Sequence, residues 1–92
     1  YGGEEFVVVL PETSVDGAAR LAERIGATVR DRPFEAADGP PLPVTVSIGA
    51  SVFPVNGATA PLLLRAADAA LYQAKHEGRD RWAAATPVAP AP

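Results

Sequence analysis

The sequence has no cysteine, which excludes disulfide scaffolds and thiolate zinc sites. It has no apolar stretch near the roughly 20 residues that a membrane-spanning helix needs, and nothing in it resembles a secretory leader. Basic residues are few: eight Lys and Arg against eleven Asp and Glu leave a net charge of −3. A mildly acidic chain does not hold duplex DNA or an anionic membrane by bulk charge. The segment is therefore expected to be soluble and cytoplasmic, with no DNA partner and no membrane contact of its own, whether or not a parent protein is membrane-tethered. Any nucleotide recognition must come from local geometry.

What remains is a globular composition. At 48% hydrophobic and 21% charged residues, the chain has enough apolar surface to fold rather than stay disordered. Its 92 residues make one small domain, expected to bury about 60–65% of its unfolded surface. No internal repeat is visible.

The stretch that organises the rest is Tyr1-Gly2-Gly3-Glu4-Glu5-Phe6, followed by Val7 to Leu10. Gly2 and Gly3 supply the positive φ angles of a tight hairpin turn. Phe6 to Leu10 is apolar without alternation, so both faces of that strand are expected to be covered, as in a layered α/β domain. Glu4 and Glu5 put two carboxylates where the turn meets the sheet, a donor set able to hold a divalent cation and, through it, a polyphosphate.

Thr13 or Ser14 can cap a helix over about 14–30, with Asp16 in its first turn. Ala18, Leu21, Ala22, Ile25 and Val29 form its apolar face. Pro33 ends it. Phe34 to Ser51 reads as a hairpin turning at Asp38-Gly39 or Pro40-Pro41, and the alternation of Val44, Val46 and Ile48 with Thr45, Ser47 and Gly49 predicts a strand. Gly49 is expected to permit close backbone packing. After a Pro54–Gly57 loop, Thr59 caps a second helix with Pro61 in its first turn. Leu63, Ala66, Ala67, Ala70, Leu71 and Ala74 are its buried stripe, and Gly78 its stop. Trp82 begins a short closing strand as core or edge cover. Tyr72 is expected to pack with its hydroxyl bonded, and His76 to lie on the surface. The order is strand, helix, strand, strand, helix, short strand, an α/β (α+β) sandwich over residues 1–85 with a Pro/Ala-rich tail over 86–92.

Four blocks in this order carry a resemblance: Tyr-Gly-Gly-Glu-Glu-Phe (1–6), Val-Thr-Val-Ser-Ile-Gly (44–49), Ala-Asp-Ala-Ala-Leu-Tyr-Gln-Ala-Lys (67–75) and Gly-Arg-Asp-Arg (78–81). Together they resemble the C-terminal half of the GGDEF domain of diguanylate cyclases, a nucleotide-cyclase palm-like fold, in the variant with Glu at the third signature position. Singly, each has a plainer reading: a hairpin turn with a solvated rim, a core strand, surface cations at a helix end.

The resemblance implies condensation of two GTP into cyclic di-GMP with loss of two pyrophosphates, one GTP held by each domain of a homodimer, with Mg²⁺ or Mn²⁺ neutralising the phosphates. Such chemistry depends on positioning and charge neutralisation more than on covalent help. By this resemblance Glu4 is metal ligand and proton acceptor, Glu5 supports the metal, and Gly2 and Gly3 admit the nucleotide close to the backbone. Lys75 and Arg79 match the residues that grip the triphosphate, with Gly78 letting Arg79 swing inward. Arg24 falls where some members hold a secondary arginine for inhibitory cyclic di-GMP. Asp80 stands where Asn is usual, a change expected to weaken a local hydrogen bond or do little.

The family's other metal-binding aspartate, its guanine-contacting element and its primary inhibitory site precede the signature. The 92-residue chain alone is accordingly expected not to make cyclic di-GMP, and its apolar Phe6–Leu10 strand to seek a partner in a dimer, a swapped arrangement or a longer parent. A sensory or receiver domain is expected upstream. A non-catalytic module that binds GTP or cyclic di-GMP is the alternative, and a structural α/β module with a chance motif is a third reading.

Overall fold

Two helices form where the sequence supplies both a hydroxyl cap and a stripe of small apolar residues. A computed structural model describes residues 10, 12–35 and 37–86. The first, α1 (Val15–Asp31), starts at Ser14, whose Oγ accepts the Gly17 N–H at 3.1 Å, answering one of the amides that a helix start leaves unpaired. Asp16 in the first turn and Arg30 in the last complement the helix dipole. Ala18 and Ala22 are buried, with Leu21, Ile25 and Val29 beside them at intermediate depth, so the predicted apolar face is the one that packs.

The second helix, α2 (Ala60–His76), is capped by Thr59, whose Oγ1 accepts the Leu62 N–H at 3.4 Å, with Pro61 inside its first turn. Ala70 and Ala74 are its buried residues. It stops at Gly78, which takes φ +122°, and the Arg79 N–H returns to the Ala74 carbonyl at 3.0 Å. That is the long bond of a Schellman stop, available because glycine enters the left-handed region without a Cβ penalty.

Strands β1 (Ile48–Ala50) and β2 (Trp82–Ala84) pair in parallel, with Ile48 opposite Trp82 and Ala50 opposite Ala84. Parallel strands need a crossover, and α2 supplies it. Successive strand residues face opposite ways. Gly49 faces α2, where a Cβ would collide with the Ala67 carbonyl and the Leu71 backbone. Ile48 and Ala50 face the other side, where they line cavities together with α1 residues. The two helices therefore cover opposite faces of the pair. The buried apolar residues described are all alanines, and small side chains are what let helix and sheet backbones approach this closely.

The element order agrees with the sequence reading, while two details differ. Among the described residues, the alternating stretch from Val44 enters the ladder only at Ile48, opposite the first residue of a β2 that is three residues long. Ahead of it, Phe34 and Leu42 form a single antiparallel bridge with both N–H···O bonds at 2.8 Å, closing the expected hairpin around Asp38-Gly39. Tyr72 does not pack inward. It is 65% exposed and stacks on His76 with ring centroids 4.8 Å apart. The signature, the strand expected over Phe6–Leu10 apart from Leu10 itself, and the tail from residue 87 lie outside the described residues. Among those described, no helix is long and apolar enough to cross a membrane.

Asn56 ties the loop before α2 to the chain leaving β2. Its side chain is buried, its Oδ1 accepts the Val52 N–H at 2.8 Å, and its Nδ2 donates to the Ala85 and Thr86 carbonyls at 3.2 and 3.0 Å. Asn56→Ala removes one acceptor and two donors at once, leaving their partners unanswered. We expect it to cost about 1–3 kcal/mol, read as a fall in the urea midpoint with an unchanged slope. A loss below about 0.5 kcal/mol would show that water replaces the side chain freely.

Candidate functional site

The described residues expected to grip a triphosphate lie at the C-terminal end of α2. Lys75 is in its last turn and Arg79 follows Gly78 immediately. Both side chains are exposed and make no hydrogen bond or ion pair with another described residue. Cations at this end meet the negative pole of the helix, and both also suit phosphate oxygens, Arg through its fork and Lys as a point charge.

The turn that presents Arg79 is unusual in its backbone. Gly78, Arg79 and Asp80 have φ of +122°, +62° and +47°, so the left-handed excursion runs through two residues that carry a Cβ. The expected swing at Gly78 thus extends over three residues. Non-glycine residues hold such angles only where their surroundings over-determine them, and here three anchors do so. The Arg79 N–H is held by the Ala74 carbonyl. The Arg79 carbonyl accepts from Arg81 Nε at 3.0 Å. The same guanidinium, part of this second anchor, lies beneath Gly78, where a Cβ would come within 2.9 Å of its Nη2.

The third anchor is Asp80. Its Oδ1 accepts from Arg30 Nη2 at 3.0 Å and from Arg30 Nε at 3.2 Å, while Oδ2 lies 3.3 Å from the same Nε. The hydrogen bonds to Asp80, then its charge, raise the Arg30 pKa above its ordinary value. Asp80 in the position of a usual Asn therefore does not simply lose a bond. It gains a two-pronged ion pair to the last turn of α1.

Gly2, Gly3, Glu4 and Glu5 lie outside the described residues. Arg24 is exposed on α1. Among the described residues no group of three or more His, Asp or Glu stands close enough together to hold a metal ion. Trp82 is half-buried and lines the α1-side cavities, one of about 210 Å³ beside Arg30 and Arg81. Arg30 lies in none of the motif blocks, and the resemblance assigns no role to Arg81, the last residue of Gly-Arg-Asp-Arg. Nothing in their spacing links Arg30 to Asp80, and the one sign of the pair in the sequence is the acid standing where an amide is usual.

A family profile described as "Diguanylate cyclase, GGDEF domain" matches residues 1–81. The chain belongs to the GGDEF family. Its similarity runs to the uncharacterized protein YhcK of Bacillus subtilis (50% identical over 80 residues), the response regulator PleD of Caulobacter vibrioides (49% over 81) and the diguanylate cyclase DgcP of Pseudomonas aeruginosa (47% over 81). These matches cover 87–88% of this chain but only 22%, 18% and 12% of the three relatives. No solved structure matches significantly. The GGDEF match takes in the signature, α1, β1, α2 and the Gly78–Arg81 turn, so the chain is a diguanylate cyclase-type domain.

Proposed function

We propose that this GGDEF domain, within its complete protein, condenses two GTP molecules into cyclic di-GMP and two pyrophosphates. The observation that carries the reading is the presentation of Lys75 and Arg79 at the end of α2 in a chain whose signature keeps both glycines and both acids. Each domain of a homodimer holds one GTP. The 3′-hydroxyl of each nucleotide attacks the α-phosphorus of the other, a P–O bond forms, and pyrophosphate leaves. Glu4 accepts the hydroxyl proton. Lys75 and Arg79 hold the triphosphate against the repulsion of its own charges, and Gly2 and Gly3 allow close approach of the backbone. Glu4 and Glu5 are hard oxygen donors of the kind Mg²⁺ and Mn²⁺ take, and the ion they would hold supplies charge neutralisation at the phosphates. Arg24 is a candidate contact for cyclic di-GMP acting as an inhibitor, and an upstream sensory or receiver domain the source of control.

The reading places residues 1–85 as the C-terminal part of the catalytic domain and 86–92 as its tail. The test compares the complete protein with the isolated 92-residue chain, each supplied with GTP and Mn²⁺, by chromatography of the nucleotides. Cyclic di-GMP is expected from the first and none above the protein-free control from the second. Product from the isolated chain would refute the division. GTP binding by the complete protein without turnover would replace the catalytic reading by a regulatory, nucleotide-binding one.

A further inference from the structure

The ion pair between Arg30 and Asp80 joins α1, on one face of the sheet, to the turn that follows α2, on the other. Its ends come from positions 50 residues apart, and its side chains remain 49% and 38% exposed. An exposed pair of this kind adds little to stability. What distinguishes it is where it sits. Asp80 is the last of three left-handed residues, and the residue before it is Arg79.

We propose that Asp80, clamped by Arg30, is a positioning residue for Arg79: the pair fixes the direction in which the Arg79 guanidinium is presented and so sets the affinity for a nucleoside triphosphate. The inference rests on the function proposed above and adds a pair of which one member, Arg30, lies outside all four motif blocks.

The bond to the Ala74 carbonyl fixes the amide of Arg79 and leaves φ of Asp80 free, and the bond from Arg81 Nε to the Arg79 carbonyl spans Asp80 only through a flexible side chain. A non-glycine residue at φ +47° relaxes toward negative φ when nothing opposes it. That rotation moves the peptide between Arg79 and Asp80, and with it the bond from Arg81. The Arg30 fork opposes it by gripping both carboxylate oxygens. The residue type agrees, because a carboxylate offers two charged acceptors to a guanidinium where an amide offers one neutral oxygen.

A free arginine side chain loses rotamer freedom when it closes on phosphate, and a fixed base reduces that loss. Releasing the clamp therefore weakens binding without removing any group that touches the nucleotide.

The test uses the complete protein and a non-hydrolysable α,β-methylene analogue of GTP with Mg²⁺, with affinity measured by calorimetry. Arg30→Ala is expected to weaken binding about 3- to 10-fold, with the melting midpoint within about 4 °C of wild type. Asp80→Asn, which keeps one acceptor, falls between. Arg79→Ala weakens binding further, and adding Arg30→Ala to it produces no additional loss, since no guanidinium is left to position. In turnover, Arg30→Ala raises KM for GTP with kcat within about twofold.

Unchanged affinity in Arg30→Ala, or losses that simply multiply in the double variant, overturn the positioning role while leaving the proposed function intact. Wild-type protein that binds no analogue, or an Arg79→Ala variant that binds as well as wild type, removes the triphosphate site itself and this inference with it.

Discussion

Gly49→Ala is expected to destabilise the domain by about 3 kcal/mol, at the upper end for overpacking, and Gly49→Val by more. The glycine lies in β1 directly under α2, and an added Cβ would stand 2.8 Å from the Leu71 Cα and closer still to backbone atoms of Ala67 and Leu71. Those neighbours are main chain, not the far end of a flexible side chain. Relief therefore requires moving the whole helix away from the sheet, opening the contact that Ala70 and Ala74 make by being small. Gly26→Ala in α1 is the internal control. Among the described residues, no atom outside its own helical backbone lies within 4 Å of its would-be Cβ, so alanine there is expected to stabilise by about 0.5–1 kcal/mol through the entropy of the unfolded chain. Urea denaturation of the two variants checks both signs. A Gly49→Ala loss under about 1 kcal/mol would mean that α2 can retreat at little cost.

Glu4→Gln in the complete protein should lower cyclic di-GMP formation by about 10³-fold, within the range by which a positioned proton acceptor and charge-stabilising group contribute. Glutamine keeps the length and shape of the side chain but gives up its negative charge and its capacity to take a proton. Steady-state turnover with GTP and Mn²⁺, together with a circular dichroism spectrum to show an intact fold, measures the effect. A decrease smaller than about tenfold would remove Glu4 from the role proposed for it. Glu5→Gln, by contrast, is expected to be partly restored by raising the Mn²⁺ concentration, since that acid is assigned to support of the ion alone.

The helices were legible because their signals are local. Ser14 and Thr59 cap them through bonds to amides three residues on, and the alanine stripes follow the 3.6-residue period that puts one face on the sheet. Gly49 was legible for a similar reason: a glycine amid alternating β-branched residues marks a close approach. The extent of β1 was not, because ladder length depends on β2, which lies beyond α2 in the chain. Tyr72 misled because an aromatic residue one position from the buried stripe is easily placed inside, whereas its ring stacks on His76 a turn later. The Arg30–Asp80 pair is a tertiary contact between two charged residues that look ordinary in their own segments. No period or spacing connects them, and only the folded chain brings them together.

The parallel pairing of β1 with β2 has a consequence for how the chain is made. A hairpin can close as soon as its second arm appears, but among the described residues the partner of β1 is β2, which is synthesised only after α2. At ordinary translation rates the stretch between Ala50 and Trp82 takes about 2–6 s to emerge from the ribosome. For that interval Val46 and Ile48 have α1 to lie against but not β2, a window in which chaperones and neighbouring nascent chains compete for the edge that β2 will cover.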